Sequence, residues 1–139
     1  MKRAYPAHHA VPISKTVRAG DFVFTSAYGP WVFDPANLVF DDNGNILDDG
    51  TGNMKMPFDE QVHKTFGFIK EALALEDCGL SDVVKCECWL TDARDFSRFN
   101  AVYKTYFSKD PPVRSVFPMR FMFTCKVEMQ AVAYKPLKV

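Results

Sequence analysis

The chain has 139 residues, with 17 basic and 17 acidic side chains, so its net charge is zero when the three histidines are neutral. This length favours a single domain, residues 1–139, able to bury a core without help from a disulfide or a metal. A composition of 47% apolar and 14% aromatic residues excludes a disordered chain, and the even charge balance argues against a general nucleic-acid binder. It also gives little self-repulsion, as expected of a protein that associates. No apolar run approaches the ~18 residues of a membrane span. No continuous apolar stretch follows the basic Met1-Lys2-Arg3, so a cytoplasmic location is expected. Cys78, Cys86, Cys88 and Cys125 read as free, buried thiols, because no CxxC pair or nearby histidine completes a zinc set.

In chain order, residues 1–12 read as irregular. Thr16 to Thr25 reads as strand, turn, strand, broken at Ala19-Gly20-Asp21. Ser26 to Pro30 is a turn of mostly small residues. Residues 31–56 form a long polar excursion that carries Trp31, Phe33 and Phe40. Its Asn43-Gly44 pair, between Phe40 and Ile46, predicts a tight hairpin turn. The acidic run 41–49 lacks the closing glutamate of a calcium loop. Pro57 opens a helix with Asp59 and Glu60 in its first turn, and Val62, Phe66, Ile69 and Leu73 share one face. Gly79 is expected to stop it.

Val83 to Thr91 alternates, with Val84, Cys86, Cys88 and Leu90 on one side and Lys85, Glu87 and Trp89 on the other. Asp95 to Ser108 reads as a second helix, with Phe96, Phe99, Tyr103, Tyr106 and Phe107 inward. Val113–Phe117 and Cys125–Tyr134 are the last strands. In the final strand Val127, Met129, Ala131 and Ala133 face the helices, while Lys126, Glu128 and Gln130 face away. The predicted class is α+β, a sheet with two helices packed on one face. Trp89 and Val132 on the polar face favour an interface there over plain solvent.

Four segments together resemble the Rid (reactive intermediate deaminase), or YjgF-like, family, over about Pro12 to Tyr134. They are the hairpin Ala19–Ser26, the helix Asp95–Tyr103, Pro112-Val113-Arg114-Ser115, and the strand Lys126–Ala133. The resemblance implies a chorismate-mutase-like α+β fold with a mixed sheet, and a homotrimer with clefts between subunits. It also implies hydrolysis of 2-imino and 2-enamino acids to 2-keto acids and ammonia, with no cofactor and no metal. By the same resemblance Arg114 holds the substrate carboxylate and Glu128 activates water. Ser26, Ala27, Tyr28, Asn100 and Arg120 are the expected substrate-binding residues, with Arg120 a rival anchor to Arg114.

The chemistry suits these residue types. A guanidinium grips a carboxylate bidentately and stays charged. A carboxylate within reach of water serves as base and then as acid. Plainer roles remain open, namely an interface salt bridge to Glu128 or Glu87 for Arg114, and pairing with Lys126 or Lys85 in the subunit interface for Glu128. His8, His9 and His63 read as surface residues. Three features depart from the family pattern. Ile13-Ser14 stands where a pocket tyrosine is usual, Gln130 replaces a second glutamate, and the 31–56 connection is about a dozen residues longer than usual. Its aromatics either lid the cleft or cover a subunit edge. A non-catalytic carboxylate-binding or regulatory trimer, or an RNase or translation inhibitor, are the competing expectations.

Overall fold

The chain runs β1 (Lys2–Pro6), β2 (Ser14–Ala19), β3 (Phe22–Thr25), α1 (Phe58–Ala74), β4 (Val83–Leu90), α2 (Phe96–Tyr106), β5 (Val113–Pro118) and β6 (Val127–Tyr134). In this computed structural model, which describes residues 1–31 and 40–138, the six strands form one mixed sheet ordered β1-β2-β3-β6-β4-β5. The described pairs are antiparallel except β4 with β5. That parallel pair is connected through α2, the crossover that parallel strands require.

Alternation along β6 places the core. Val127, Met129, Ala131 and Ala133 are buried beneath the helices together with Cys86, Cys88 and Leu90 of β4. From α1 they meet Val62, Phe66, Ile69 and Leu73, the stripe expected from the sequence. From α2 they meet Phe99, Val102 and Tyr103. Each of the Val, Leu, Ile, Phe and Met side chains among them contributes roughly 1.5–3 kcal/mol on burial. The opposite face carries Glu87, Trp89, Glu128, Gln130 and Val132, with Phe22 paired to Tyr134 across the strands. Phe22, Phe24 and Tyr134 remain 43%, 42% and 47% exposed there, so this face stays open in the single chain.

Four local expectations are corrected. Residues 2–6 are a strand rather than irregular, held by pairing with β2 from Lys2↔Ala19 to Pro6↔Ser14. Gly79 does not end α1. Asp77 takes the left-handed turn with φ 54°, and the Asp77 and Cys78 N–H groups donate to the Ala74 and Leu73 carbonyls. This is a Schellman cap, in which a short acidic side chain tolerates the conformation usually left to glycine. Val84 does not join the core, because a bulge between Val83 and Lys85 buries Val83 and leaves Val84 43% exposed. Phe96 opens α2 with its ring 45% exposed rather than inward.

The Asn-Gly turn forms as expected. Phe40 bridges to Ile46, and Gly44 sits at φ 84°. The Asp41 carboxylate accepts the Asn43 and Asn45 N–H groups at 2.9 and 2.8 Å, so its oxygens serve the turn itself. Trp31, Phe40 and Cys125 form a small second cluster with Val11, Phe121 and Phe123. Phe33 lies outside the described residues. The Gln61 side chain, fully buried on α1, ties this region to the body. Its amide donates to the Asn53 and Met56 carbonyls at 2.9 and 3.0 Å and accepts the Lys126 N–H at 2.9 Å. All four cysteines are free and buried, and no helix of the described residues is long and apolar enough to cross a membrane.

The deepest charge is Arg18, 1% exposed on β2. It donates to Glu76 beyond α1 at 2.7 Å and to the Gly20 and Lys135 carbonyls at 3.0 and 2.7 Å. Glu76 also accepts from Arg3 and from the Tyr5 hydroxyl of β1. Burial would raise the Glu76 carboxyl, but hydrogen bonds from Arg3, Arg18 and Tyr5 outweigh it and hold it at about 2, below the usual 4.5. The stability this group contributes is therefore present above the ordinary carboxylate range and is lost as pH falls toward about 2. Glu76→Ala strands the buried guanidinium and is expected to destabilise the fold by about 3–5 kcal/mol in urea unfolding. A loss under about 1 kcal/mol would contradict this role for the network.

Candidate functional site

The expected site residues fall on two separate faces of the sheet. Arg114, the second residue of β5, is the in-register partner of the buried Cys86, so it points to the helix side. The start of α2 supplies its bed. The guanidinium carbon lies 4.7 Å from the Tyr103 ring centroid and 5.8 and 5.9 Å from those of Phe96 and Phe99. Its Nη1 donates to the Asn100 side-chain oxygen at 2.8 Å. Among the described residues no carboxylate pairs with it, so most of its donor fork stays available in an exposed position. Beside it lies an open groove of about 450 Å³ lined in part by Asn100, Tyr103, Lys104 and Pro112.

Glu128 belongs to the other face. It sits opposite Trp89 in the β4–β6 ladder and lines a notch of about 230 Å³ with Ala27, Trp89, Met119, Arg120 and Phe121. Burial pushes its carboxyl up to about 7, because loss of water disfavours the charged form. Within the single chain Glu128 pairs with neither Lys126 nor Lys85 among the described residues. Lys85 binds Glu87 at 3.0 Å, and Glu87 in turn accepts from Gln130 at 2.8 Å. Arg120 is carried to the notch as the chain leaves β5, where the Met119 N–H donates to the Leu90 carbonyl at 2.8 Å.

Ala27, Arg120 and Glu128 are thus brought together, and Arg114 and Asn100 are brought together, but the two sets are separated by the sheet. The Ser26 and Tyr28 side chains turn to partners within the chain, and the Ser26 N–H donates to the Lys15 carbonyl at 3.3 Å. The Ser26 hydroxyl donates to the Ser14 carbonyl at 2.6 Å. Tyr28 is 4% exposed, bridges Met129 through both backbone groups at 2.8 Å, and donates its hydroxyl to the Lys15 carbonyl at 3.2 Å. Burial first, and the Glu71 charge second, push this phenol up to about 12. The isolated antiparallel bridge to Met129, itself a core residue of β6, holds Tyr28 against the core.

Sequence reading passed over the role of Tyr103 and Phe96 as the platform of Arg114. The signal was present, since Phe96, Phe99, Asn100 and Tyr103 share one helical face, but a stripe of this kind reads first as core. His63 is exposed, as expected, and its Nδ1 lies 2.6 Å from the Tyr106 hydroxyl.

A mixed sheet with two helices on one face, and candidate site residues on both of its sides, defines the fold class. The family model described as "Endoribonuclease L-PSP" matches residues 5–135, and the chain belongs to that family, the YjgF/RutC group. A RutC family protein of Pyrococcus abyssi is 33% identical over 125 residues, 89% of this chain and 87% of its own length. The mitochondrial protein MMF1 of Saccharomyces cerevisiae is 27% identical over 133 residues, 95% of this chain and 79% of its own. The crystal structure of RidA from an Antarctic Psychrobacter superposes with a TM-score of 0.71 at 23% identity, covering 94% of both chains. That likeness establishes the same fold.

Trp89 reports on its cross-strand neighbour. Its emission is expected to titrate with a midpoint near 7 in the native chain and to lose that transition in Glu128→Gln. Because this carboxyl is raised above the ordinary 4.5, the stability tied to its proton is present below 4.5 and lost as pH rises through about 7. A flat emission profile between pH 5 and 8, or one unchanged in Glu128→Gln, would contradict the placement of Glu128 against Trp89.

Proposed function

We propose that the protein is a Rid-type hydrolase of 2-imino and 2-enamino acids, and that its active site is composite, with Arg114 from one copy facing Glu128 from a neighbour in a homotrimer. The observation that carries this reading is the separation of the two residues. An arginine with an open donor fork on the helix side and a carboxyl poised near neutrality on the bare side meet only when a second chain docks. The apolar and charged residues of the open face, which the single chain leaves uncovered, support such docking.

In the reaction the substrate carboxylate lies in the Arg114 fork, with Asn100 fixing the guanidinium and the Tyr103 ring beneath it. Anchoring that end orients the reacting carbon and lowers the entropic part of the barrier. An enamine first takes a proton at carbon from the Glu128 carboxyl to become an iminium, which leaves Glu128 ionised. Ionised Glu128 then takes a proton from water as the oxygen bonds to the iminium carbon. Glu128 returns that proton to the carbinolamine nitrogen, then takes the hydroxyl proton as the C=O forms and the C–N bond breaks toward nitrogen, and a 2-keto acid and ammonia leave. A carboxyl near pH 7 serves both directions of this transfer. The four buried free thiols support a reducing compartment, the cytoplasm in this reading.

The test generates 2-iminobutyrate in situ and follows its C=N absorbance. Wild type is expected to accelerate the decay over buffer, with kcat/KM rising through pH about 7. Arg114→Ala and Glu128→Gln are each expected to lose roughly 100-fold. Light scattering is expected at about three times the 15.8 kDa chain mass. Buffer-like decay with wild type would overturn the hydrolase reading. The family description names a second activity, RNA cleavage, and salt-sensitive RNA retardation with cleavage would favour it instead.

A further inference from the structure

We propose that an apolar notch beside Arg114 is a side-chain subsite, and that it selects monocarboxylates bearing a bulky apolar or aryl group over small or dianionic ones. The proposal rests on the Arg114 anchor reading above and adds what binds next to it. The notch, about 260 Å³, is lined by Leu90, Ala93, Phe96, Val116, Phe117 and Pro118, none of them charged.

Two features join it to the anchor. Arg114 and Val116 are two residues apart on β5, hence on the same face of the strand, which puts them roughly 6–7 Å apart. Phe96 serves both places, since its ring lies 5.8 Å from the Arg114 guanidinium and also walls the notch. That ring is 45% exposed, although it opens a helix whose neighbouring aromatics are buried. A carboxylate in the Arg114 fork therefore places a group two or three bonds away over uncharged walls. The spacing fits a phenyl or branched alkyl chain and is wasted on a methyl.

The alternative direction from Arg114 leads into the polar groove that carries Lys104, where a second carboxylate would gain. Lys104 is exposed, so the charge it offers is screened, whereas the notch gives apolar surface a place to leave water.

Calorimetry compares propionate, 3-phenylpropionate and glutarate on the native protein. The expected result is that 3-phenylpropionate binds at least about tenfold more tightly than either of the others. Ala93 lies in an exposed turn, so its replacement leaves the core intact. Ala93→Trp fills the notch and Ala93→Asp charges it, and each is expected to bring the 3-phenylpropionate to propionate ratio down to near one. A wild-type ratio near one, a preference for glutarate, or a ratio unchanged in both variants overturns the subsite while leaving the anchor standing, provided Arg114→Ala still weakens propionate. Unchanged affinity for both acids in Arg114→Ala overturns the anchor, and the subsite falls with it.

Discussion

A sheet covered on only one side imposes the constraint from which the rest follows. Side chains alternate along each strand, so the residues next to those that build the core must point the other way. In β6 this rule buries Val127, Met129, Ala131 and Ala133 and presents Glu128, Gln130 and Val132 on the bare face. In β5 it sends Arg114 under the edge of α2, toward Tyr103. No rotamer carries either side chain through the sheet to the other. The alternation that stabilises a single chain thus divides its chemical groups, and in the proposed composite site a second copy reunites them.

The elements that rest on period and spacing were readable from the amino-acid order. The α1 stripe at Val62, Phe66, Ile69 and Leu73 is buried throughout, and the faces of β6 are as its alternation predicts. What could not be read depends on pairing between distant segments. Residues 2–6 have no apolar alternation of their own and become a strand because β2 offers an edge and Glu76 accepts Arg3 and Tyr5. The bulge at Val83 depends on how β4 registers against β6, and Asp77 in place of Gly79 depends on the hydrogen bonds that close α1.

The site followed the same division. Glu128 and Ala27 on the open face, and Arg114 with Asn100 beneath α2, were legible as residue types. Their separation became clear only once β5 was seen to lie parallel to β4, with Cys86 as the register partner of Arg114. Tyr28 shows the converse. Its place after the small residues of a turn gave it the look of a pocket-mouth group, but its bridge to Met129 makes it a wall of the core. The long 31–56 connection acquires a role in the described part. Trp31 and Phe40 pack with Phe121, which also lines the Glu128 notch, and the fully buried Gln61 holds that region to α1 and to the start of β6. The connection therefore buttresses one wall of the carboxyl's surroundings.

The composite site is tested most directly by complementation between subunits. Arg114→Ala and Glu128→Gln chains are each prepared, found inactive toward a 2-imino acid, then unfolded together and refolded as a mixture. If each site takes Arg114 from one chain and Glu128 from the next, about a quarter of the sites in randomly mixed trimers regain both residues, and activity returns to about that fraction of wild type. A mixture as inactive as its two components would place both residues' work within one chain and contradict the account.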